Sequence, residues 1–110
     1  MTYEALEKHI LAYPGMWLDF PFDETTAVYK YGEKPEGKIV AVVAMDSKPL
    51  RVSLKCDPQL AKLLREKYES VLPATNLNKK HWNTILCTGQ LAEDELLDLV
   101  RLSYRLAAEA

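Results

Sequence analysis

A chain of 110 residues is the size of one domain and can bury a single modest core without disulfides or metals to staple it. Apolar residues make up 48% and charged residues 27%, which excludes a disordered chain. The net charge of −2 lowers the expectation of tight non-specific DNA binding, yet it conceals a division. Residues 1–45 carry −3, residues 46–80 carry +4 and residues 81–110 carry −3, so a local positive face can form on an acidic molecule.

Taken in chain order, residues 2–13 read as a helix. Thr2 is its N-cap, Tyr3, Leu6, Ile10 and Tyr13 form one stripe, and Pro14-Gly15 stop it. Met16–Phe22 is apolar for a connection and is expected to lie across the core edge, anchored by Trp17 and a Phe ring. Thr25–Tyr31 is β-branched and aromatic, a strand, followed by a Pro/Gly hairpin loop over 32–37. Lys38–Met45 is a strand apolar on both faces, hence central. Leu50–Lys55 alternates, with Leu50, Val52 and Leu54 inward and Arg51, Ser53 and Lys55 outward.

Asp57-Pro58 opens a second helix, carboxylate at the N-cap and proline at N1, with Leu60, Ala61, Leu64 and Tyr68 as its buried stripe. Val71-Leu72-Pro73 fits an edge strand, because proline donates no ladder bond. Trp82–Thr88 is the last strand. Glu93, Asp94 and Glu95 load the first turn of a final helix whose end carries Arg101 and Arg105, in accord with the helix dipole. Leu96, Val100, Ser103, Tyr104 and Ala107 line its inner face.

The expected order is therefore helix, three strands, helix, two strands, helix (α-β-β-β-α-β-β-α). Short turns make the sheet antiparallel, and three helices cover one of its faces, giving a two-layer α+β sandwich over residues 1–110 as a single domain. The other face, with Arg51, Ser53 and Lys55, is then wet or occupied by a partner.

Several segments together resemble the MmcQ/YjbR family of small bacterial proteins. They are Pro14-Gly15, Tyr29-Lys30, Gly37–Ala41, Val52–Pro58, Leu77-Asn78-Lys79-Lys80-His81-Trp82 and Ser103-Tyr104. They run in family order along nearly the whole chain, and the Leu-Asn-Lys-x-His-Trp block is the most distinctive. The resemblance implies a secretion-chaperone-like or CyaY-like α+β domain, and DNA binding through a double-wing arrangement of strands and loops. Members of the family often carry a Gly-Tyr-His-like triplet where this chain has Ala74-Thr75-Asn76, so the second histidine of that loop is missing.

The expected nucleic-acid-binding residues are Lys30, Arg51, Lys55, Asn78, Lys79, Lys80, His81 and Trp82. Lysines and arginine would grip phosphates and Trp82 would stack on a base. The competing reading has Asn78 capping a turn, His81 bonding a backbone carbonyl and Trp82 plugging the core, since Trp82, Thr84 and Leu86 share one strand face. Likewise Lys30, Arg51 and Lys55 either form a basic stripe or pair with Glu33, Glu36 or Asp46. Asp19, Asp23 and Glu24 read as a solvated acidic loop.

Catalysis finds little support in the sequence. His9 and His81 are far apart, no nucleophile elbow, H-E-x-x-H, GxGxxG or P-loop is present, and Cys56 and Cys87 read as reduced buried thiols. No metal, cofactor or enzyme activity is expected. The longest apolar run, Ile39–Met45, is far below the roughly 20 residues that cross a bilayer, and Met-Thr-Tyr-Glu-Ala lacks a signal-peptide pattern, so a cytoplasmic monomer away from membranes is expected. The favoured function is a non-enzymatic DNA-binding domain. The alternative is a protein-interaction module docking an acidic or extended peptide, and a third reading is a ligand pocket roofed by Trp17 and Trp82 around His81.

Overall fold

A computed structural model describes residues 1–109. Helix α1 (Tyr3–Leu11) begins as expected, with the Thr2 hydroxyl accepting the Ala5 N–H at 3.1 Å. The strands are β1 (Met16–Asp19), β2 (Thr26–Tyr31), β3 (Lys38–Ala44), β4 (Arg51–Lys55), β5 (Val71–Pro73) and β6 (Trp82–Leu86). Helix α2 (Pro58–Lys67) follows β4, its N-cap Asp57 accepting from Gln59 and Leu60, and α3 (Glu93–Ala108) closes the chain. The six strands form one antiparallel sheet in the order β1-β2-β3-β4-β6-β5.

The α+β class and the antiparallel sheet agree with the sequence, while Met16–Asp19 differs. Rather than a connection over the core edge it is an edge strand, Trp17 opposite Lys30 and Leu18 opposite Tyr29. The order is thus α-β-β-β-β-α-β-β-α. The physical reason is local alternation: Met16 and Leu18 pack on the core, and Trp17 and Asp19 take the other side.

All three helices lie on one face. Leu6 and Ile10 of α1 and Leu96 and Val100 of α3 share a core with Ala27, Tyr29, Ala41, Val43, Val52, Leu54, Val71 and Ile85. Leu64 of α2 packs against it. Each fully buried aliphatic side chain stabilises the fold by about 1.5–3 kcal/mol.

Two polar devices sit within this layer. The register slips between Tyr29 and Lys30, which face Ala41 and Ile39, so Val40 is left unopposed as a bulge. Ser103 of α3, fully buried, donates its hydroxyl to Val40 O at 2.6 Å and accepts the Lys55 N–H at 3.0 Å. One serine therefore satisfies two main-chain groups where the β3–β4 ladder ends. In the second device, Tyr3 and Tyr29 both donate to Glu7 Oε2, at 2.6 and 2.5 Å.

Burial raises the Tyr29 hydroxyl far above its ordinary pKa of 10.0, and the bond to Glu7 adds to it. Burial also pushes the Cys56 thiol from 9.0 up to about 11, with the Asp57 charge contributing. Both groups ionise more readily in the unfolded chain, so their contribution is intact below pH 9 and is lost as pH rises. The unfolding free energy from denaturant titrations should fall between pH 9 and 11, by about 1–2 kcal/mol from Cys56, with Tyr29 adding above pH 10. Cys56→Ala should flatten the first part of that decline; an unchanged slope would refute the assignment.

Candidate functional site

The face without helices is built by alternation. The row Val28, Val42, Ser53 and Thr84 crosses its middle, and the row Thr26, Ala44, Arg51 and Leu86 lies toward one end. At the other end Lys30 stands opposite Ile39 and Trp17, and Lys55 opposite Trp82. Arg51, Ser53 and Lys55 thus share the helix-free face as expected, with Arg51 and Lys55 about 13 Å apart along the strand.

Lys30 is not free to serve a ligand. Its Nζ lies 3.0 Å from Asp19 Oδ2 and 5.3 Å from the centroid of Trp17, with its side chain 12% exposed. That bond holds the Asp19 carboxyl below its ordinary range. The partner is therefore Asp19, not Glu33, Glu36 or Asp46, and Asp19 is more than solvated surface. Lys34 takes a place 5.3 Å from the same indole. Gly37 makes room for this arrangement: at φ +61° a Cβ there would lie 2.9 Å from Trp17 Cζ2.

Lys79 and Lys80 are exposed on a tight turn. Asn78 Oδ1 accepts the Lys80 N–H at 2.9 Å, and Asn78 O accepts from His81 and Trp82 at 3.1 and 2.9 Å. The capping role for Asn78 is realised, and His81 joins through its main chain, its carbonyl accepting the Cys56 N–H at 2.7 Å. Arg65 of α2, overlooked in the sequence, clamps the turn by donating to Lys79 O at 3.2 Å and to Asn83 Oδ1 at 2.7 Å. Asn83 is 2% exposed and also donates to Ala61 O at 3.1 Å.

Trp82 is buried, but on the side of the sheet away from the helices. Asn83 and Ile85 face the helices, so Trp82, Thr84 and Leu86 share the opposite face. Trp82 is nonetheless only 8% exposed, and it lies outside the main core cluster.

The middle row floors a cleft of about 390 Å³. Val42, Ser53 and Thr84 form its base, with the Ser53 and Thr84 hydroxyls 2.8 Å apart. Ala74–Leu77 wall it on one side, and Phe22, Asp23 and Thr26 on the other. Hydrogen bonds from Thr26, and from the Thr25 N–H at 2.9 Å, hold the Asp23 carboxyl below its ordinary range. Neither tryptophan nor His81 lines this cleft. The sequence offered one signal for it, the polar segment after Pro73.

Among the described residues, no three His, Cys, Asp or Glu side chains converge as a metal site, and no helix is long and apolar enough to cross a membrane.

Comparison with known proteins agrees with this architecture. Residues 11–106 match the YjbR family profile. The chain is 34% identical over 108 residues to the uncharacterized protein YjbR of Escherichia coli K12, covering 97% of this chain and 87% of the relative. It is 31% identical over 111 residues to the uncharacterized protein YbdF of Escherichia coli O157:H7, with 97% and 84% covered. The crystal structure of Deinococcus radiodurans DR2400, assigned to domain DUF419, superposes with a TM-score of 0.94 at 35% identity, over 98% of this chain and 79% of that one. A Pseudomonas syringae crystal structure shares the fold, with a TM-score of 0.79 at 24% identity over 97% and 99%. By its profile match across most of its length and its full-length relatives, the chain belongs to the YjbR family.

Proposed function

We propose that the chain is a non-enzymatic, cytoplasmic DNA-binding domain acting as a monomer, with Arg51, Lys55, Lys79 and Lys80 neutralising phosphates. One observation carries this reading. Among the described residues these four cations, like most of the other lysines and arginines, have no carboxylate within ion-pair distance, and Arg51 and Lys55 share the helix-free face. Lys55 ends its strand on the uncovered face, and the Cys56 N–H holds the carbonyl of His81, which ties the turn bearing Lys79 and Lys80 to the same end of the sheet. The loop over 32–37 leaves the sheet at that same end, because Tyr29, Ala41, Leu54 and Asn83 form one transverse row. Two loops beside a cationic patch suit the flanks of a duplex.

The reading predicts binding that weakens steeply with salt. Four phosphate contacts give a slope of about −3.6 in log K against log salt, at about −0.9 each. Fluorescence anisotropy with a labelled duplex between about 50 and 200 mM salt should then show roughly a hundredfold loss. No binding at the lowest salt would end the proposal. Docking of an extended peptide on the edge strand β5 is the weaker reading, because that strand has three residues and its last is proline.

A further inference from the structure

The cleft on the helix-free face has a chemistry the phosphate-binding cations do not explain. No lysine or arginine lines it, and Asp23 does, so a phosphate is repelled from its interior. Its polar groups are the hydroxyls of Thr26, Ser53, Thr75 and Thr84 and the amide of Asn76, a mixture of donors and acceptors suited to an uncharged polar ring. The Asp23 carboxylate, ionised and only accepting, favours a ring that brings N–H groups. At about 390 Å³ the cleft falls within the roughly 300–1,000 Å³ of small-molecule sites.

Two further features say what carries that ring. Phe22, at the rim, is 66% exposed, an aromatic surface left open beside a polar cavity. Bases stack on such rings irrespective of sequence. Along β4, Ser53 of the cleft floor lies midway between Arg51 and Lys55, about 7 Å from each. A cavity that takes a neutral ring and rejects phosphate is thus bracketed on its own strand by two unpaired cations.

We infer that the cleft receives one unstacked base of a single-stranded nucleic acid, stacked against Phe22, with the backbone phosphates before and after it at Arg51 and Lys55. The inference rests on the nucleic-acid reading and narrows it. A duplex keeps its bases paired and fills the cleft only by extruding one.

The test compares three labelled oligodeoxynucleotides of one length: an unstructured mixed-sequence single strand, its duplex, and the same single strand with abasic positions throughout. The single strand should bind roughly tenfold or more tightly than the other two. Phe22→Ala should weaken only the intact single strand, by roughly ten- to a hundredfold. Phe22 is exposed, so the variant should keep the parent's thermal midpoint. Asn76→Leu, also at an exposed position, should likewise act on the intact strand alone. Equal binding of all three probes, unaffected by Phe22→Ala, overturns the base-binding cleft and leaves the phosphate-binding reading standing. Absence of binding by every probe overturns both.

Discussion

Ser103→Ala is expected to lower the unfolding free energy by about 2–4 kcal/mol, because it strands two buried main-chain groups at once. The carbonyl of Val40 loses its donor and the amide of Lys55 loses its acceptor, and the fully buried site gives no path for water to replace the hydroxyl. The loss exceeds that of an ordinary hydroxyl deletion because the bulge leaves Val40 without a strand partner opposite. Tyr104→Phe supplies the contrast. Its hydroxyl donates to Pro14 O at 2.7 Å in an exposed setting, so that deletion should cost under about 1.5 kcal/mol. Urea denaturation of the two variants checks the difference. Equal effects would mean that the bulge is satisfied in some other way. The same serine also fixes the last residue of β4, so the Lys55 side chain should lose its placement as the helix contact loosens.

Lys79→Glu combined with Lys80→Glu should abolish most of the affinity for duplex DNA and reduce the salt slope by about 2, one unit per phosphate contact removed. Both side chains are exposed and form no ion pair among the described residues, so the fold should tolerate the exchange. The turn itself depends on Asn78 and on the Arg65 guanidinium, neither of which is altered. Lys30→Gln is the informative control. Its charge is already spent on Asp19, so affinity should change little while stability falls slightly. A Lys30→Gln variant as impaired as the double reversal would show that the cations do not act as assigned.

Much of the fold was legible because its signals are local. Alternation in Leu50–Lys55, the Asp57-Pro58 start and the proline in Val71–Pro73 each specify geometry within a few residues, and each is realised. Met16–Asp19 was misread because Phe20 and Phe22 extend its apolar character past the strand, hiding a four-residue alternation between Gly15 and Pro21. The side on which Trp82 is buried was not legible, because the inward residue beside Ile85 is Asn83, whose polarity is met only by Arg65 and Ala61 from a distant helix. The cleft was legible only as a polar segment after Pro73. It arises where residues 22–26 and 74–77 fold over the sheet, and no local pattern encodes the meeting of two connections more than forty positions apart.

The two outermost strands carry a consequence for the behaviour of the chain in concentrated solution. A sheet with free rims invites other chains to add strands and grow into fibrils. Here one rim has four residues and the other three, and prolines at 14, 21 and 73 interrupt the backbone donors at or beside them. The most apolar strand, Lys38–Ala44, lies two strands in from one rim and three from the other. The segment most prone to self-assembly is kept out of reach, and the molecule can leave one broad sheet surface bare without becoming a template for its own aggregation.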